Sequence, residues 1–378
     1  MPDAVIVDVV RSPIGRAFKG SLASLRPDDA LAQMVDALLE RNGKPVVDEL
    51  VAGCGMPQGV QAYNIGRAGV LLSETLDEST PGITISRFCA SGVDALRYAA
   101  NAIAAGQGDS YVAGGVEFIS SFNAQTEIAH PEDRNPRAPD AYVEMGVTAE
   151  NVAARYEVPR LAQDEYAQRS QERAVEAQES GFFAREISPL KLADGTVVDT
   201  DDGPRPSSTL ERLSALRTPF RENGSVTSGN SCPLNDGAAA ALLMSVERAQ
   251  QLGLKPRARI VSSSSWGNDP AYMGVAPIGA VERALDRAAM KISDIDIVEL
   301  NEAFAAQVIP VADAIKVDHE RLNPHGGAIA LGHPYGMTGV RILATLLNGL
   351  DAADGTMGLE AMCVAGGQGE AVIFERLS

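Results

Sequence analysis

The chain has 378 residues, 45% of them hydrophobic and 22% charged, and a formal net charge of −18. That length and balance suit a large buried core divided over two or three domains. The acidic balance argues against binding nucleic acid or an anionic membrane, and an anionic substrate would need a local basic patch.

The first segment, "MPDAVIVDVVRSPIGR", lacks the basic-then-apolar pattern of a secretory signal, and no uncharged apolar run reaches the ~18 residues of a membrane span. Within it "AVIVDVV" (4–10) predicts a buried strand. "DDALAQMVDALLER" (28–41) has helical apolar spacing and opens on an aspartate suited to capping. A strand at 49–54, a helix at 65–74 and a strand at 82–86 follow. Then come a glycine-ended helix at 91–108 and a strand at 109–118. Such alternation indicates an α/β domain with much parallel pairing.

From 119 to about 237 the chain is rich in charge and proline, lacks regular alternation and holds a long polar helix within 154–181. This region reads as an inserted loop domain. Alternation resumes with strands at 239–245 and 258–265, a helix at 279–290 and a strand at 294–304 running into a helix start. A helix at 336–350 and two strands around a glycine turn at 356–375 complete it. The second part repeats the element order of the first. The expected division is 1–118 plus 238–257, 119–237, and 258–378.

The four cysteines are Cys54, Cys89, Cys232 and Cys363, far apart and without CxxC spacing. Neither a zinc site nor a disulfide framework is expected, and a reducing cytoplasm suits them. Cys89, in "SRFCASG", sits at the start of a helix whose free amides can favour a thiolate. It reads equally as a buried core thiol. Of the four histidines, His325 and His333 fall in the glycine-flanked "NPHGGAIALGHPYGMTG", where an imidazole can face a cavity and move protons. His319 in "VDHERL" and His130 read as ordinary polar positions. Asn301 and Glu302 in "LNEAF" stand at a strand end, where α/β active sites gather, or simply cap a helix. Cys363 precedes "VAGGQG", a turn whose amides could face an oxyanion. Phosphate-loop, GxGxxG, HExxH and GxSxG patterns are absent.

Together "RFCASG", "NEAF", "GGAIALGHPYGMTG" and "CVAGGQG" resemble the thiolase family. "MGVTAENVA" (145–153) and the stretch 205–240 extend the resemblance over essentially the whole chain. It implies a five-layered α/β/α/β/α fold of two similar halves, with a loop domain inserted in the first, and a homodimer or homotetramer. It implies cleavage of a 3-ketoacyl-CoA by CoA, or the reverse condensation, with CoA as substrate and no metal or bound cofactor. Cys89 would carry the acyl group and His333 would take its proton. Cys363 would serve as acid and base, and Asn301 would hold a water in one oxyanion hole. The backbone N–H groups of Cys89 and Ala365 would form the other. Arg205 would contact the nucleotide, with Arg212, Arg217 and Arg221 as further local cations. Met145, Ser231, Cys232, Phe304 and His325 would touch substrate or CoA.

Three departures stand out. Ala365 replaces the first glycine of a CxGGG ending, and serves the hole if its φ is negative. Cys232 stands where a serine often contacts the pantetheine. Glu144 precedes Met145-Gly146 where short-chain synthetic thiolases often carry histidine. With the arginine-phenylalanine before Cys89, this points to a degradative 3-ketoacyl-CoA thiolase. A biosynthetic acetoacetyl-CoA enzyme is the nearest alternative. A non-catalytic scaffold would lack a catalytic position, and a ketoacyl synthase normally uses two histidines.

Overall fold

The computed structural model describes residues 3–122 and 139–378; His130 lies outside them. The first half starts with β1 (Ala4–Arg11), the short β2 (Gly15–Arg16) and the amphipathic α1 (Pro27–Arg41). It continues through β3 (Glu49–Cys54), α2 (Ile65–Leu72), β4 (Gly82–Ile85), α3 (Ser91–Ala104) and β5 (Ser110–Phe118). After β5 the described chain forms α4 (Met145–Arg155), α5 (Arg160–Glu179), the small β6 (Leu190–Lys191) and β7 (Val197–Val198) hairpin, and α6 (Leu210–Ser214). β8 (Asn235–Ser245) then returns to pair antiparallel with both β1 and β5.

After α7 (Val246–Gln251) the second half runs through β9 (Ala258–Gly267), α8 (Pro277–Ala288), β10 (Ile297–Leu300) and α9 (Ala305–Ile315). It ends with α10 (Ala328–Leu331), α11 (Tyr335–Ala353), β11 (Met357–Val364) and β12 (Gln368–Arg376).

Both halves use one strand order. The first reads β4-β3-β5-β8-β1, with β3 parallel to β4 and β5. The second reads β10-β11-β12-β9, parallel at β10–β11 and antiparallel thereafter. A single parallel bridge, Val298 to Leu322, stands where β4 stands in the first half. Strand pairing joins the two halves into one sheet at a single residue pair, Ile6 and Ala258.

α1 and α2 cover the outer face of the first sheet, and α8 and α9 that of the second. α3 and α11 lie between the sheets, packed on both. Five α/β/α/β/α layers result. The residue pattern explains this. β5 and β8 are buried at every position and carry runs of Gly and Ala, which let helices approach closely. α11 is buried from Gly336 to Leu350, as a helix between two sheets must be.

One local expectation is corrected. Asp28 does not cap α1: Arg26 occupies that position and Pro27 begins the helix. Proline needs no N–H partner and presets φ, so the start needs no side-chain acceptor. Asp28 instead accepts from Arg26 at 2.7 and 3.0 Å within the acidic first turn.

Candidate active site

The starts of α3 and α11 meet at the ends of β3 and β5. A Cβ on Gly336 would fall 2.4 Å from the carbonyl oxygen of Val116 and 2.7 Å from that of Gly53. Only glycine permits that backbone contact. It seats the beginning of α11 against the turn Phe88–Ala90 that precedes α3.

Cys89 is the middle residue of that one-turn 3-10 helix. Phe88 before it has φ +46, a left-handed value that costs a non-glycine residue about 1 kcal/mol or more. The strain is held from both sides. Ser91 Oγ donates to the Phe88 carbonyl at 2.7 Å and accepts from the Arg87 N–H at 2.9 Å. Arg87 reaches Gln368 on β12 at 3.1 Å and pairs with Asp94. The turn is thereby pinned to both halves.

Cys89 is partly exposed, whereas Cys363 is buried at the end of β11. Cys89, Cys232 and Cys363 lie close enough to influence one another electrostatically. Burial pushes the Cys89 thiol up to about 12, although the N–H groups of Ala365 and of Cys89 itself favour the thiolate. The easily ionised thiol expected from a helix start is not found, because burial outweighs these amides. Burial also raises Cys232 and Cys363. All three sulfurs are thiols at neutral pH in the resting protein.

His333 is buried, and burial first, then the nearby Arg341 charge, lowers its pKa to about 3. The imidazole is therefore neutral. Thr338 Oγ1 donates to the Pro334 carbonyl at 2.8 Å, so at 2.7 Å its oxygen accepts from His333 Nδ1. That assignment leaves the lone pair on Nε2. Nε2 lies 3.3 Å from Asn301 Nδ2, and Asn301 Oδ1 has no partner among the described residues. A neutral base, three thiols and oriented amides can carry out acyl transfer, with the proton leaving as the sulfur attacks.

The other expected site residues divide. Met145, Cys232, Phe304 and Cys363 share an apolar cluster with Val226 and Met273. Ala365 is absent from the positive-φ residues; Gly366 and Gly367, both at φ +78, make the turn instead. Ser231 pairs with Phe304, but its hydroxyl donates to the Thr227 carbonyl at 2.7 Å. Arg205 opens onto a separate cavity of about 520 Å³ beside α5, lined also by Gln168, Glu172, Glu176 and Thr209. Arg221 donates to Asn151 at 2.6 Å and Arg212 to the Ser207 carbonyl.

His325 is not brought to the cluster. Its ring stacks on Phe182 at 3.7 Å, on the side of Gly349, and burial lowers its pKa to about 4. Glu302 is a structural tie that accepts from Tyr166, Ser170, Asn323 and the Ile329 N–H.

Sequence reasoning missed Thr338, which sets the His333 tautomer, and Tyr335, whose ring packs edge-on to His333 at 5.1 Å. It also missed Glu117. A charge inside the apolar "VAGGVEF" was the available signal.

Comparisons with known proteins agree with this geometry. The thiolase N-terminal domain matches residues 4–247 and the thiolase C-terminal domain residues 254–376. The chain is 42% identical to the beta-ketoadipyl-CoA thiolase of Pseudomonas putida, over 100% of both chains. It is 40% identical to the 3-ketoacyl-CoA thiolase of Bacillus subtilis, over 99% of this chain and 100% of that one. The dimeric peroxisomal thiolase of Saccharomyces cerevisiae superposes with a TM-score of 0.93 at 36% identity, covering 100% of this chain and 98% of that one. By motif, fold and kinship, the chain belongs to the thiolase family of acyltransferases.

Proposed function

We propose that the protein is a degradative 3-ketoacyl-CoA thiolase, which cleaves its substrate with CoA into acetyl-CoA or propionyl-CoA and a shortened acyl-CoA. The observation that carries the reading is the neutral His333 imidazole packed on Tyr335, which itself interacts with Cys89 and Cys232, while Cys89 and Cys363 interact in turn. Relatives named for 3-ketoacyl-CoA and beta-ketoadipyl-CoA support the degradative side.

Cys89 Sγ attacks the 3-keto carbon while its proton passes to His333 Nε2. The C3 oxyanion faces the N–H groups of Cys89 and Ala365, while Nε2–H and a water held by Asn301 face the thioester oxygen of the departing acetyl unit. The bond between C2 and C3 breaks, and the C2 carbanion takes the Cys363 proton to leave as acetyl-CoA. CoA then gives its thiol proton to Cys363 and attacks the acyl group on Cys89. This second oxyanion faces the same N–H groups of Cys89 and Ala365. Collapse returns the His333 proton to Cys89. Arg205 and the cavity beside α5 take the nucleotide of CoA, with residues 119–237 as the loop domain.

A second copy of the chain completes the working protein. β4 ends the first sheet, and no described strand lies beyond it. Phe88, Val60 and Tyr63 nearby in the sequence are exposed. An open strand edge with exposed apolar side chains suits pairing with a copy of itself. Among the described residues no helix is long and apolar enough to cross a membrane, and the four free thiols suit a reducing compartment.

The test is mass spectrometry after incubation with acetyl-CoA, followed by thiolysis across a substrate panel. An acetyl group on Cys89 and turnover of longer 3-ketoacyl-CoAs or 3-ketoadipyl-CoA are expected. Turnover of acetoacetyl-CoA alone would reassign the protein to synthesis. An unmodified Cys89 would remove the enzyme reading.

A further inference from the structure

Glu117 lies near the end of β5 and is fully buried. Its Oε2 accepts from the backbone N–H of Gly55 at 2.8 Å, of Met56 at 3.2 Å and of Gly336 at 3.1 Å. Its Oε1 accepts from Gln61 Nε2 at 2.6 Å. Gln61 in turn donates to the Met56 carbonyl and accepts from the Phe118 N–H. One carboxylate thus ties β5, the 55–61 loop and the first turn of α11.

Its position relative to the nucleophile follows from Gly55. A Cβ there would fall 2.6 Å from Glu117 Oε2, 2.7 Å from Tyr335 Cβ and 3.0 Å from the Phe88 carbonyl. The carboxylate therefore sits one glycine away from the turn that carries Cys89. Its charge reaches both Cys89 and Tyr335.

We propose that Glu117 is a positioning residue of the thiolase reaction: its carboxylate clamps the start of α11 to the 55–61 loop, setting His333 and Tyr335 against Cys89, and places an ionisable group one glycine away from the turn that carries the nucleophile. This rests on the reading of Cys89 as nucleophile. A brace alone does not call for an anion. A neutral amide also fills the space and accepts N–H bonds, without the cost of burying a charge. What the anion adds is its field at the sulfur.

The titratable groups facing Glu117 are Cys54 on β3, Cys89 on the turn before α3, and Tyr335 on α11. Cys89 is also seen by Cys232 and Cys363. Burial raises Glu117 to about 7 against the pull of its N–H donors, so its charge is developed above neutrality. Removing that charge lowers the pH at which Cys89 ionises.

The experiment uses the full chain as Glu117→Gln and Glu117→Asp. It measures thiolysis kcat and KM, and the alkylation rate of Cys89 by iodoacetamide against pH, read on the Cys89 peptide. Glu117→Gln is expected to lower kcat roughly tenfold or more with KM little changed, because small misplacements in an active site are costly. Its alkylation curve is expected to move to lower pH. Glu117→Asp keeps the charge on a shorter arm, so its alkylation curve should stay while kcat falls. A Glu117→Gln alkylation curve superimposed on that of the unsubstituted protein overturns the proposal. So does an unchanged kcat in either variant, and Glu117→Asp alone suffices if Glu117→Gln does not fold. Alkylation needs no acyl transfer. A failure here is therefore distinct from failure of the unsubstituted protein to acetylate Cys89.

Discussion

The ends of β5 and β11 occupy equivalent places in the two halves. Each follows a parallel neighbour, β3 or β10, and precedes an antiparallel one, β8 or β12. Their side chains differ in kind. β5 offers Glu117, bound by Gly55, Met56, Gln61 and Gly336, and β11 offers Cys363, a thiol within an apolar cluster. One topology used twice brings two strand ends to the turn that carries Cys89. The first half contributes the Cys89 turn and its brace. The second contributes His333, Asn301 and Cys363, to which the proposed mechanism assigns the protons and the oxyanion.

The open stretches of strand differ too, since β9 meets β1 only at Ala258 and β4 ends the sheet. In the second half, Arg283 and Arg287 of α8 donate to the carbonyls of Ser265 and Ser263 on β9, at 3.0 and 2.5 Å. Beyond β10 lies Leu322. β4 in the first half has no such cover among the described strands.

The sharpest break of this division of labour is Cys89→Ala. It should abolish acetyl-enzyme and lower thiolysis kcat by about four orders of magnitude, seen by mass spectrometry and steady-state rates. Next come His333→Ala and Cys363→Ala, each expected to cost about 10² to 10⁴ in kcat as general acid–base groups. If either kept full turnover, the assignment of proton handling to the second half would fail.

The two edges predict opposite effects on assembly. Thr84→Pro on β4 should shift the protein toward monomer in light scattering, because proline removes a strand donor. Arg283→Ala with Arg287→Ala should instead uncover β9 and increase self-association. Equal behaviour of the two variants would remove the contrast between the edges.

Much of this was legible beforehand, for identifiable reasons. Apolar runs such as 4–10 and 109–118 belong to strands buried on both faces, and glycine marked the end of α3. The five layers followed from the thiolase-like motifs, and the clustering of Cys89, Cys232 and Cys363 agrees with them. What failed was direction. His325 and His333 share a glycine-rich stretch, yet one stacks on Phe182 and the other faces Asn301. Sequence spacing does not say which way a loop side chain points. Nor does it price burial: the helix start at Cys89 suggested an easily ionised thiol, and desolvation outweighs it. Glu117 was passed over because its donors come from 54–61 and 336, far away in sequence.

The smallest expected effect concerns stability rather than turnover, and again separates the halves. β3 carries no charge between Leu50 and Cys54, whereas its equivalent β10 buries Glu299. Burial raises Glu299 to about 8 from an ordinary 4.5, against the opposing charge of Arg341. Its Oε1 has no partner among the described residues, nor do Nε and Nη1 of Arg341. A carboxyl with a raised folded-state pKa binds its proton more tightly folded than unfolded. The resulting stability is full below about 4.5 and is lost as pH rises through about 8. Glu299→Gln keeps the shape and removes the titration. Its Tm, followed by calorimetry, should lie near that of the unsubstituted protein around pH 4.5 and pull ahead by a few degrees toward pH 8.5. Glutamine does not ionise, so only the unsubstituted protein bears the growing cost of a buried charge. A gap that stays constant across that range would mean Glu299 is already ionised at the acidic end, held by Arg341. The second half would then hold a true buried ion pair.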